Sequence, residues 1–213
     1  MMSELAKKYQ KYLIGGTIPE SIGEDPRIFN TSLSFDPEGQ LLLKQRKLHL
    51  FDINIPGKVK SLESGHVKAG ESKLGLLETA WGTVGVGVCF DIRFPEYSIA
   101  LQQAGAQVLC FPADFAMRTG EMHWDIITKG RAVDNQSFVI ACACAPNTAE
   151  PHLFQAWGHS RVVSPWGEVL VDAGQDEGVV YADVDLNIVK EMREAIPVLG
   201  VKRKDLYEVI TKN

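Results

Sequence analysis

A chain of 213 residues, 45% hydrophobic and 23% charged, has the composition of a soluble globular protein and can bury a full core as one domain. Its net charge of −5 argues against nucleic acid and anionic membrane surfaces as partners, and no apolar run approaches the ~20 residues of a membrane span. The four cysteines, none in a C-x-x-C pair, indicate reduced thiols rather than a disulfide framework. We therefore expect a single cytoplasmic domain over residues 1–213; an organellar form that has lost an N-terminal extension is the alternative.

The N-terminal third is predicted to hold a helix and a β-hairpin. Asp36-Pro37-Glu38-Gly39 has the residue chemistry of a turn, and the segments on both sides alternate as strands do. The segment from His49 to Gly75 has no clear periodicity, so we expect it to be irregular, and functional rather than disordered. The predicted elements are a helix over 3–12 capped by Ser3, a strand over 12–18, a loop over 19–26 and strands over 28–35 and 40–47.

The rest of the chain alternates apolar strands with helices, which is typical of a mixed α/β domain with strands in two sheets. Its centre is the stretch from Gly82 to Glu96, where valines alternate with glycines up to Cys89 and a turn then leads into a helix. The other predicted elements are strands over 108–113, 138–145 and 178–184, helices over 96–105, 123–135 and 186–196, a loop over 114–122, a hairpin over 158–172 and an apolar tail from 197 that docks.

Cys89 stands where a strand ends just before a helix. That position can hold a thiol in fixed geometry beside backbone N–H groups, which is what a nucleophile needs. The alternative is structural, because free cysteine is among the most buried residue types and packs as a small hydrophobe. The residues around Cys89 leave both interpretations open.

Lys47 and Glu63 have the same ambiguity. Lys47 lies at the end of a predicted strand within a basic cluster, where most lysines are solvated cations. A strand-end ammonium can instead stabilise an oxyanion and lower the pKa of a neighbouring thiol. Glu63 is either a surface carboxylate or a buried partner of Lys47 or of the substrate's amine.

The histidines and glycines indicate no competing site. His123 is predicted to start a helix, His159 to be a hydrogen-bonded structural residue, and His49 to lie nearer Cys89. No zinc-type histidine pair, dinucleotide or Walker motif, or G-x-S-x-G elbow is present, so we expect no metal and no cofactor. A redox-sensing role for Cys89 is a further alternative, for which Cys110 offers no obvious resolving geometry.

Several motifs together resemble the nitrilase (carbon–nitrogen hydrolase) superfamily. They are Arg46-Lys47-Leu48-His49-Leu50-Phe51-Asp52, Gly85-Val86-Gly87-Val88-Cys89-Phe90-Asp91-Ile92-Arg93-Phe94-Pro95-Glu96, Gly130-Arg131-Ala132-Val133-Asp134-Asn135, Trp157-Gly158-His159-Ser160 and Ser164-Pro165-Trp166-Gly167-Glu168. Within the superfamily, Leu50 to Lys58 and Lys204-Asp205-Leu206-Tyr207 are most similar to the omega-amidase branch. The resemblance extends over the chain from Ser3 onward, and the order and spacing of the motifs are highly specific.

The resemblance implies an α/β fold of the α+β type, a four-layer α-β-β-α sandwich that pairs through helices into a homodimer. By motif, Cys89 is the nucleophile, Lys47 the cation that stabilises the tetrahedral intermediate, and Glu63 a second glutamate that assists positioning. The implied substrate is a small-molecule amide, the omega-amide of a keto acid such as alpha-ketoglutaramate or alpha-ketosuccinamate, with ammonia released from a cysteine thioester.

For the substrate pocket, the resemblance implies that the Phe90 backbone N–H is the other oxyanion donor. We expect the pocket walls to come from Phe90 and, in the loop after Ala113, from Phe115 and Met117. Arg118 was weighed as a partner for a substrate carboxylate, and we expect it to be an ordinary surface arginine instead.

One departure from the family pattern concerns the general base. The family places a glutamate in a strand-end motif before the first Gly-Gly strand, matched here by Ile14-Gly15-Gly16, and nothing upstream of Gly15 matches that motif. We therefore expect the chain to lack the first strand and helix of the usual domain together with this base, and to be a poor amidase. The alternatives are a truncated, catalytically impaired homologue that acts as a dimer partner, or another carbon–nitrogen hydrolase such as a nitrilase, a carbamoylase or an acyltransferase.

Overall fold

The computed structural model describes residues 1–55, 59–71 and 73–211. The helices are α1 (Met2–Tyr9), α2 (Pro95–Gln103), α3 (Met117–Asn135) and α4 (Asn187–Ala195). The strands are β1 (Leu13–Ile14), β2 (Ile18–Glu20), β3 (Ile28–Phe35), β4 (Leu41–Arg46), β5 (Asp52–Ile55), β6 (Val59–Leu62), β7 (Val67–Lys68), β8 (Leu76–Thr79), β9 (Gly82–Val86), β10 (Val108–Ala113), β11 (Phe138–Ala143), β12 (Arg161–Val163) and β13 (Val169–Asp172). Short 3₁₀ segments cover Glu63–Gly65 and Cys89–Arg93.

Most of these strands belong to two sheets. In the first sheet, β3 pairs antiparallel with β1, β2 and β4 and parallel with β7. In the second sheet the order is β13-β12-β11-β10-β9-β8, with β9, β10 and β11 parallel to one another. Strands β5 and β6 form a separate hairpin. Because parallel strands end at the same edge, the carboxyl ends of β9, β10 and β11 meet there.

The core has two parts, one on each face of the second sheet. Between this sheet and helices α2 and α3, the buried side chains include Leu101, Phe111 and Trp124. On the opposite face, Leu43 of the first sheet packs with Val86 of the second. The layers therefore follow the predicted mixed α/β sandwich, which is confirmed. Across the described residues, no helix combines the length and apolar character needed to cross a bilayer.

The elements with the strongest periodicity were predicted best. The strands over 28–35 and 108–113 have the predicted bounds, and the hairpin around Asp36-Pro37-Glu38-Gly39 is confirmed. Helix α1 ends earlier than predicted, and Ser3 does not cap it, because its hydroxyl donates to the Gly39 carbonyl. The predicted strand over 12–18 is two short strands, the second of which takes up part of the predicted loop.

The segment from His49 to Gly75 was predicted wrongly as irregular, because it contains β5, β6, β7 and the 3₁₀ turn at Glu63. Pro56-Gly57-Lys58, part of the omega-amidase resemblance, lies outside the described residues. Helix α3 begins at Met117 rather than His123. The predicted loop over 114–122 is therefore helical from Met117 onward. A Cβ at Gly120 would lie 2.1 Å from Trp157, so this glycine permits close packing of the helix.

In the C-terminal third, two predictions were wrong. The strand over 138–145 ends at Ala143 and exposes Cys142. Residues 178–184 form no strand, since their alternating pattern has no pairing neighbour, and Tyr181 is 86% exposed. The tail after Pro197 leaves several of its apolar side chains, such as Leu206, exposed, and its docking stays a prediction.

Candidate active site

Cys89 lies on a sharp turn at the end of β9. Its φ of 48° is in the left-handed region, which is strained for a residue other than glycine and is often found at functional positions. Cys89 also starts the 3₁₀ segment that leads into α2. The backbone N–H of Phe90 is therefore in a first turn, where helical donors have no partner within the helix. The turn presents a thiol and a backbone donor side by side.

The glycines before Cys89 let this turn fit closely into the fold. A Cβ at Gly87 would lie 2.6 Å from the ring of Phe111, so only glycine fits there without displacing the core. The Gly87 N–H donates to the Cys110 carbonyl at 3.0 Å, and the Tyr97 hydroxyl of α2 donates to the Val86 carbonyl at 2.8 Å. The strand end is thus fixed from both the neighbouring strand and the following helix.

Lys47 lies at the corresponding end of β4 in the other sheet. Its N–H donates to the Asn30 carbonyl at 2.8 Å, which continues the pairing with β3 by one residue. The residue is only 3% exposed, so the solvated-cation alternative is wrong. The Lys47 Nζ donates to both carboxylate oxygens of Glu63 at 2.7 Å, and Glu63 also accepts the Phe51 N–H. Glu63 is therefore the buried partner of Lys47.

The thiol and this ion pair act on each other electrostatically. Burial raises the pKa of Cys89, and the nearby Lys47 ammonium opposes that rise. The charges of Glu63 and Asp114 raise the Cys89 pKa further, and the Sγ faces the Asp114 carbonyl at 4.0 Å. The structure thus brings Cys89, Lys47 and Glu63 together from separate parts of the chain. Such an arrangement can hold a carbonyl between a sulfur nucleophile and a cation.

Asp114 is an unexpected carboxylate beside the thiol. It is the first residue after β10, while Cys89 and Cys144 follow the neighbouring parallel strands β9 and β11. Loss of solvation raises the pKa of the Asp114 carboxyl to about 6. Its charge in turn raises the pKa of both thiols. In the sequence, Asp114 is the first residue of the predicted loop over 114–122, directly after the predicted strand over 108–113.

Replacing Asp114 by Asn is expected to lower the pKa of Cys89, because it removes a negative charge that disfavours the thiolate. Above about pH 6, where Asp114 is ionised, iodoacetamide should alkylate Cys89 several-fold faster in the variant. Below that pH the two proteins should react alike. Peptide mass spectrometry separates Cys89 from the other cysteines.

The control for this experiment is Asp176→Asn, which removes an exposed carboxylate from a loop elsewhere in the fold. It should leave the Cys89 alkylation rate unchanged at every pH. Equal rates for Asp114→Asn and the unsubstituted chain at pH 8 would contradict an electrostatic effect of the Asp114 carboxylate on the Cys89 thiol.

Arg93 is a second site residue that the sequence analysis missed. Its guanidinium lies over the Phe115 ring at 4.6 Å and contacts the His123 Nδ1 at 3.2 Å. Burial lowers the Arg93 pKa, and the charge of Cys89 opposes that effect, which places Arg93 near the thiol. Within the described residues, no carboxylate pairs with Arg93 in a salt bridge. Arg131 holds the turn by donating to the Ile92 carbonyl at 2.8 Å.

The predicted pocket residues have different environments. Phe90 is half-buried and packs edge-on against Phe51 at 5.0 Å and Phe94 at 5.4 Å, next to the thiol. Phe115 is buried in the core against Trp124, so it supports Arg93 from behind. Met117 is exposed at the start of α3. Their role in binding substrate stays a prediction. Arg118 is an exposed arginine, as expected.

The three histidines of interest are all hydrogen-bonded. His159 contacts Asp172 at 2.9 Å and stacks on Trp157, in agreement with its predicted structural role. His123 lies inside α3 rather than at its start, and contacts Arg93. His49 contacts the buried Asp91 at 2.8 Å, immediately behind the Cys89 turn. None of them lies in a cluster of three metal-ligating side chains within the described ranges.

Comparisons with known proteins agree with this geometry. A family model described as carbon-nitrogen hydrolase matches residues 1–194. The protein named omega-amidase NIT2 from Bos taurus is 47% identical over 211 residues, which is 99% of this chain and 75% of that protein. Omega-amidase NIT2 from Danio rerio is 46% identical over 98% of this chain and 74% of its own length.

Solved structures give the same picture. The NitFhit protein of C. elegans has a TM-score of 0.90 at 37% identity, and the match covers 97% of this chain and 50% of that one. Nit3 of Saccharomyces cerevisiae, described as a member of branch 10 of the nitrilase superfamily, has a TM-score of 0.84 at 38% identity over 95% of this chain and 69% of its own. The chain thus spans about half of the NitFhit protein and about three quarters of the omega-amidases.

Proposed function

Because this chain belongs to the carbon–nitrogen hydrolase family, we propose that it is a cysteine-dependent amidase for the omega-amides of small dicarboxylic keto acids. The substrates that fit this proposal are alpha-ketoglutaramate and alpha-ketosuccinamate. The convergence of the Cys89 thiol with the buried Lys47–Glu63 pair carries the proposal. The high identity to proteins named omega-amidase supports the choice of substrate class.

In the proposed reaction, the Cys89 sulfur attacks the amide carbon and negative charge collects on the carbonyl oxygen. The Lys47 ammonium and the Phe90 N–H stabilise that oxygen more strongly than the ground-state carbonyl, which lowers the barrier. The proton given up by the thiol passes to the amide nitrogen, the C–N bond breaks, and ammonia leaves. Water then hydrolyses the thioester, adding OH to the acyl carbon and returning a proton to the sulfur. Glu63 holds Lys47 through two hydrogen bonds, which suits it to orienting the ammonium.

Arg93 supplies the feature that suits a keto-acid substrate. Such a substrate carries a carboxylate at the end opposite the amide, and this charge must be paired when it leaves water. Arg93 is a half-buried cation close to Cys89, and guanidinium groups bind carboxylates in a bidentate geometry. We assign it the role of substrate carboxylate partner in place of Arg118.

Replacing Arg93 by Gln is expected to raise the KM for alpha-ketoglutaramate by about 10- to 100-fold, the effect of losing a hydrogen bond to a charged group. The KM for an uncharged amide such as propionamide should change little, because that substrate has no carboxylate to bind. Steady-state ammonia release with both substrates measures the difference. A parallel loss for both substrates would contradict the assignment.

The activity itself is tested with the purified chain and alpha-ketoglutaramate. Intact-protein mass spectrometry after mixing should detect an acyl adduct on Cys89, and ammonia should be released. Absence of both the adduct and ammonia with any small amide would refute the amidase proposal.

We also propose that two copies of the chain pair through α3. Met122, Ile126 and Val133 form an apolar stripe on its outer face, and Ile126 is 70% exposed. Trp166 and Leu170 are further exposed apolar residues, and a Cβ at Gly167, the residue after Trp166, would lie 3.0 Å from Val133. An apolar patch of this kind on a surface helix favours a protein partner, and a symmetric dimer is the commonest assembly.

Replacing Ile126 by Glu should shift the chain from dimer to monomer in light scattering after size-exclusion chromatography, because a carboxylate would be buried at the centre of the interface. Leu41→Glu is the matched control, since Leu41 is an exposed apolar residue on β4. An equal mass for both variants would contradict pairing through α3.

We propose a cytoplasmic location for the chain. The four cysteines are free. Free thiols are typical of a reducing compartment, and an unpaired nucleophilic thiol depends on one.

A further inference from the structure

The Asp91 carboxylate is completely buried two residues after Cys89. It accepts the Val88 N–H at 2.9 Å, the His49 N–H at 2.9 Å and the Leu48 N–H at 3.4 Å. The His49 ring also contacts it, with Nδ1 2.8 Å from Oδ1, which assigns the hydrogen to Nδ1. Asp91 is thus an acceptor for several donors at once.

These donors come from two different sheets. Leu48 and His49 follow Lys47 directly, at the end of β4 in the first sheet, while Val88 precedes Cys89 at the end of β9 in the second. Leu48 is adjacent to Lys47 in the chain and Val88 is adjacent to Cys89, so Asp91 holds the backbone next to both reactive residues. A shift of either chain segment against Asp91 would change the separation of the ammonium and the sulfur.

The His49 ring makes this connection rigid. It stacks on Phe94 with ring centroids 3.6 Å apart and an interplanar angle of 13°, and its edge faces Tyr97 at 6.3 Å. Phe94 and Tyr97 lie in the turn and helix that follow Cys89. The ring therefore fixes the segment after Lys47 against the segment after Cys89, and the hydrogen bond to Asp91 sets its orientation.

A gain in folding stability does not explain well why a carboxylate is buried at Asp91. A buried carboxylate is costly even when it is fully hydrogen-bonded, and apolar replacements of buried charges often leave a protein equally stable. A carboxylate does supply two oxygens that accept donors from both strand ends in a fixed geometry. That property matters when the distance between the two ends has to be constant.

We propose that Asp91, with His49, is a positioning residue that fixes Lys47 relative to Cys89. Neither residue touches the substrate in this proposal. The expected change in kcat rests on the proposed amidase function. The expected change in the pH at which the Cys89 thiolate forms does not.

The test is Asp91→Asn, followed by the pH dependence of Cys89 alkylation with iodoacetamide. Asn keeps the size and one acceptor oxygen but loses the second acceptor. If Asp91 positions Lys47, the ammonium moves away from the sulfur and the thiolate forms at higher pH. The loss of a nearby negative charge alone would have the opposite effect and let the thiolate form at lower pH. The other charges that act on Cys89, those of Glu63, Asp114 and Arg93, are unchanged in the variant.

The kinetic expectation is a fall in kcat of about 10²-fold with little change in KM, since a misplacement of about 1 Å can have this effect on rate. Because alkylation needs no substrate, failure of the chain to hydrolyse omega-amides would refute the proposed function and leave the alkylation result decisive for Asp91. A thiolate that forms at unchanged or lower pH in folded Asp91→Asn would overturn the proposal.

His49→Phe is the second variant, for the case in which Asp91→Asn does not fold. Phenylalanine keeps the stacking on Phe94 and removes only the ring hydrogen bond to Asp91. Circular dichroism and thermal unfolding establish that each variant is folded, and Asp176→Asn controls for the loss of one charge. We expect His49→Phe to raise the pH of Cys89 alkylation in the same direction. An unchanged alkylation profile in folded His49→Phe would overturn the proposal as well.

Discussion

Replacing Cys89 by Ala is expected to reduce ammonia release from alpha-ketoglutaramate by about 10³-fold or more, as the loss of a covalent nucleophile does in other enzymes. Without the sulfur no thioester can form, and water would have to attack the amide directly. The acyl adduct seen by intact-protein mass spectrometry should disappear. The melting temperature should change little, because Cys89 is only partly buried and Ala tolerates its backbone conformation about as well as Cys does.

Cys142→Ala is the matched control for this variant. Cys142 is exposed, and its sulfur accepts a hydrogen bond from the Ser160 hydroxyl at 4.0 Å. This variant should keep the turnover of the unsubstituted chain. If ammonia release persisted in Cys89→Ala and was lost in Cys142→Ala, Cys142 would be the nucleophile and the assignment of Cys89 would be refuted.

Replacing Lys47 by Met is expected to lower kcat by about 10²- to 10³-fold, the usual effect of removing one oxyanion donor. It should also destabilise the fold by about 3–5 kcal/mol, because Glu63 would keep a buried charge without its partner. The sequence analysis gave no reason to expect this second effect, which follows from the burial of the pair. Urea unfolding and steady-state kinetics measure the two effects separately.

The double variant Lys47→Met with Glu63→Gln separates catalysis from stability. Neutralising Glu63 removes the uncompensated charge, so the double variant should recover most of the lost unfolding free energy. It should not recover turnover, because the ammonium is still missing. If turnover recovered together with stability, Lys47 would support turnover only by stabilising the folded protein and would not be an oxyanion donor.

The sequence predicted the fold where periodicity and pairing agree. Residues 28–35 and 108–113 are strands with the predicted bounds because their side chains alternate or are uniformly apolar and because each has neighbours to pair with. Residues 178–184 have a similar pattern but no strand beside them, and an isolated strand is not stable. The start of α3 was missed because the packing of Gly120 on Trp157 is a tertiary contact.

The candidate site was predicted in part. Cys89 and Lys47 stand at strand ends in the sequence, but their meeting depends on how two sheets face each other, which single-residue chemistry does not encode. The resemblance to a family supplied that information. Asp91 and Arg93 were inside the quoted motif and received no role, because their roles depend on the groups that the turn places opposite them.

The left-handed backbone of Cys89 has a consequence for relatives that have lost catalysis. Any side chain at φ 48° carries a conformational penalty, and glycine carries almost none. Once the thiol has no chemical task, glycine at this position would give a more stable protein than cysteine. We therefore expect a homologue with glycine at this position to have no catalytic activity and a more stable fold.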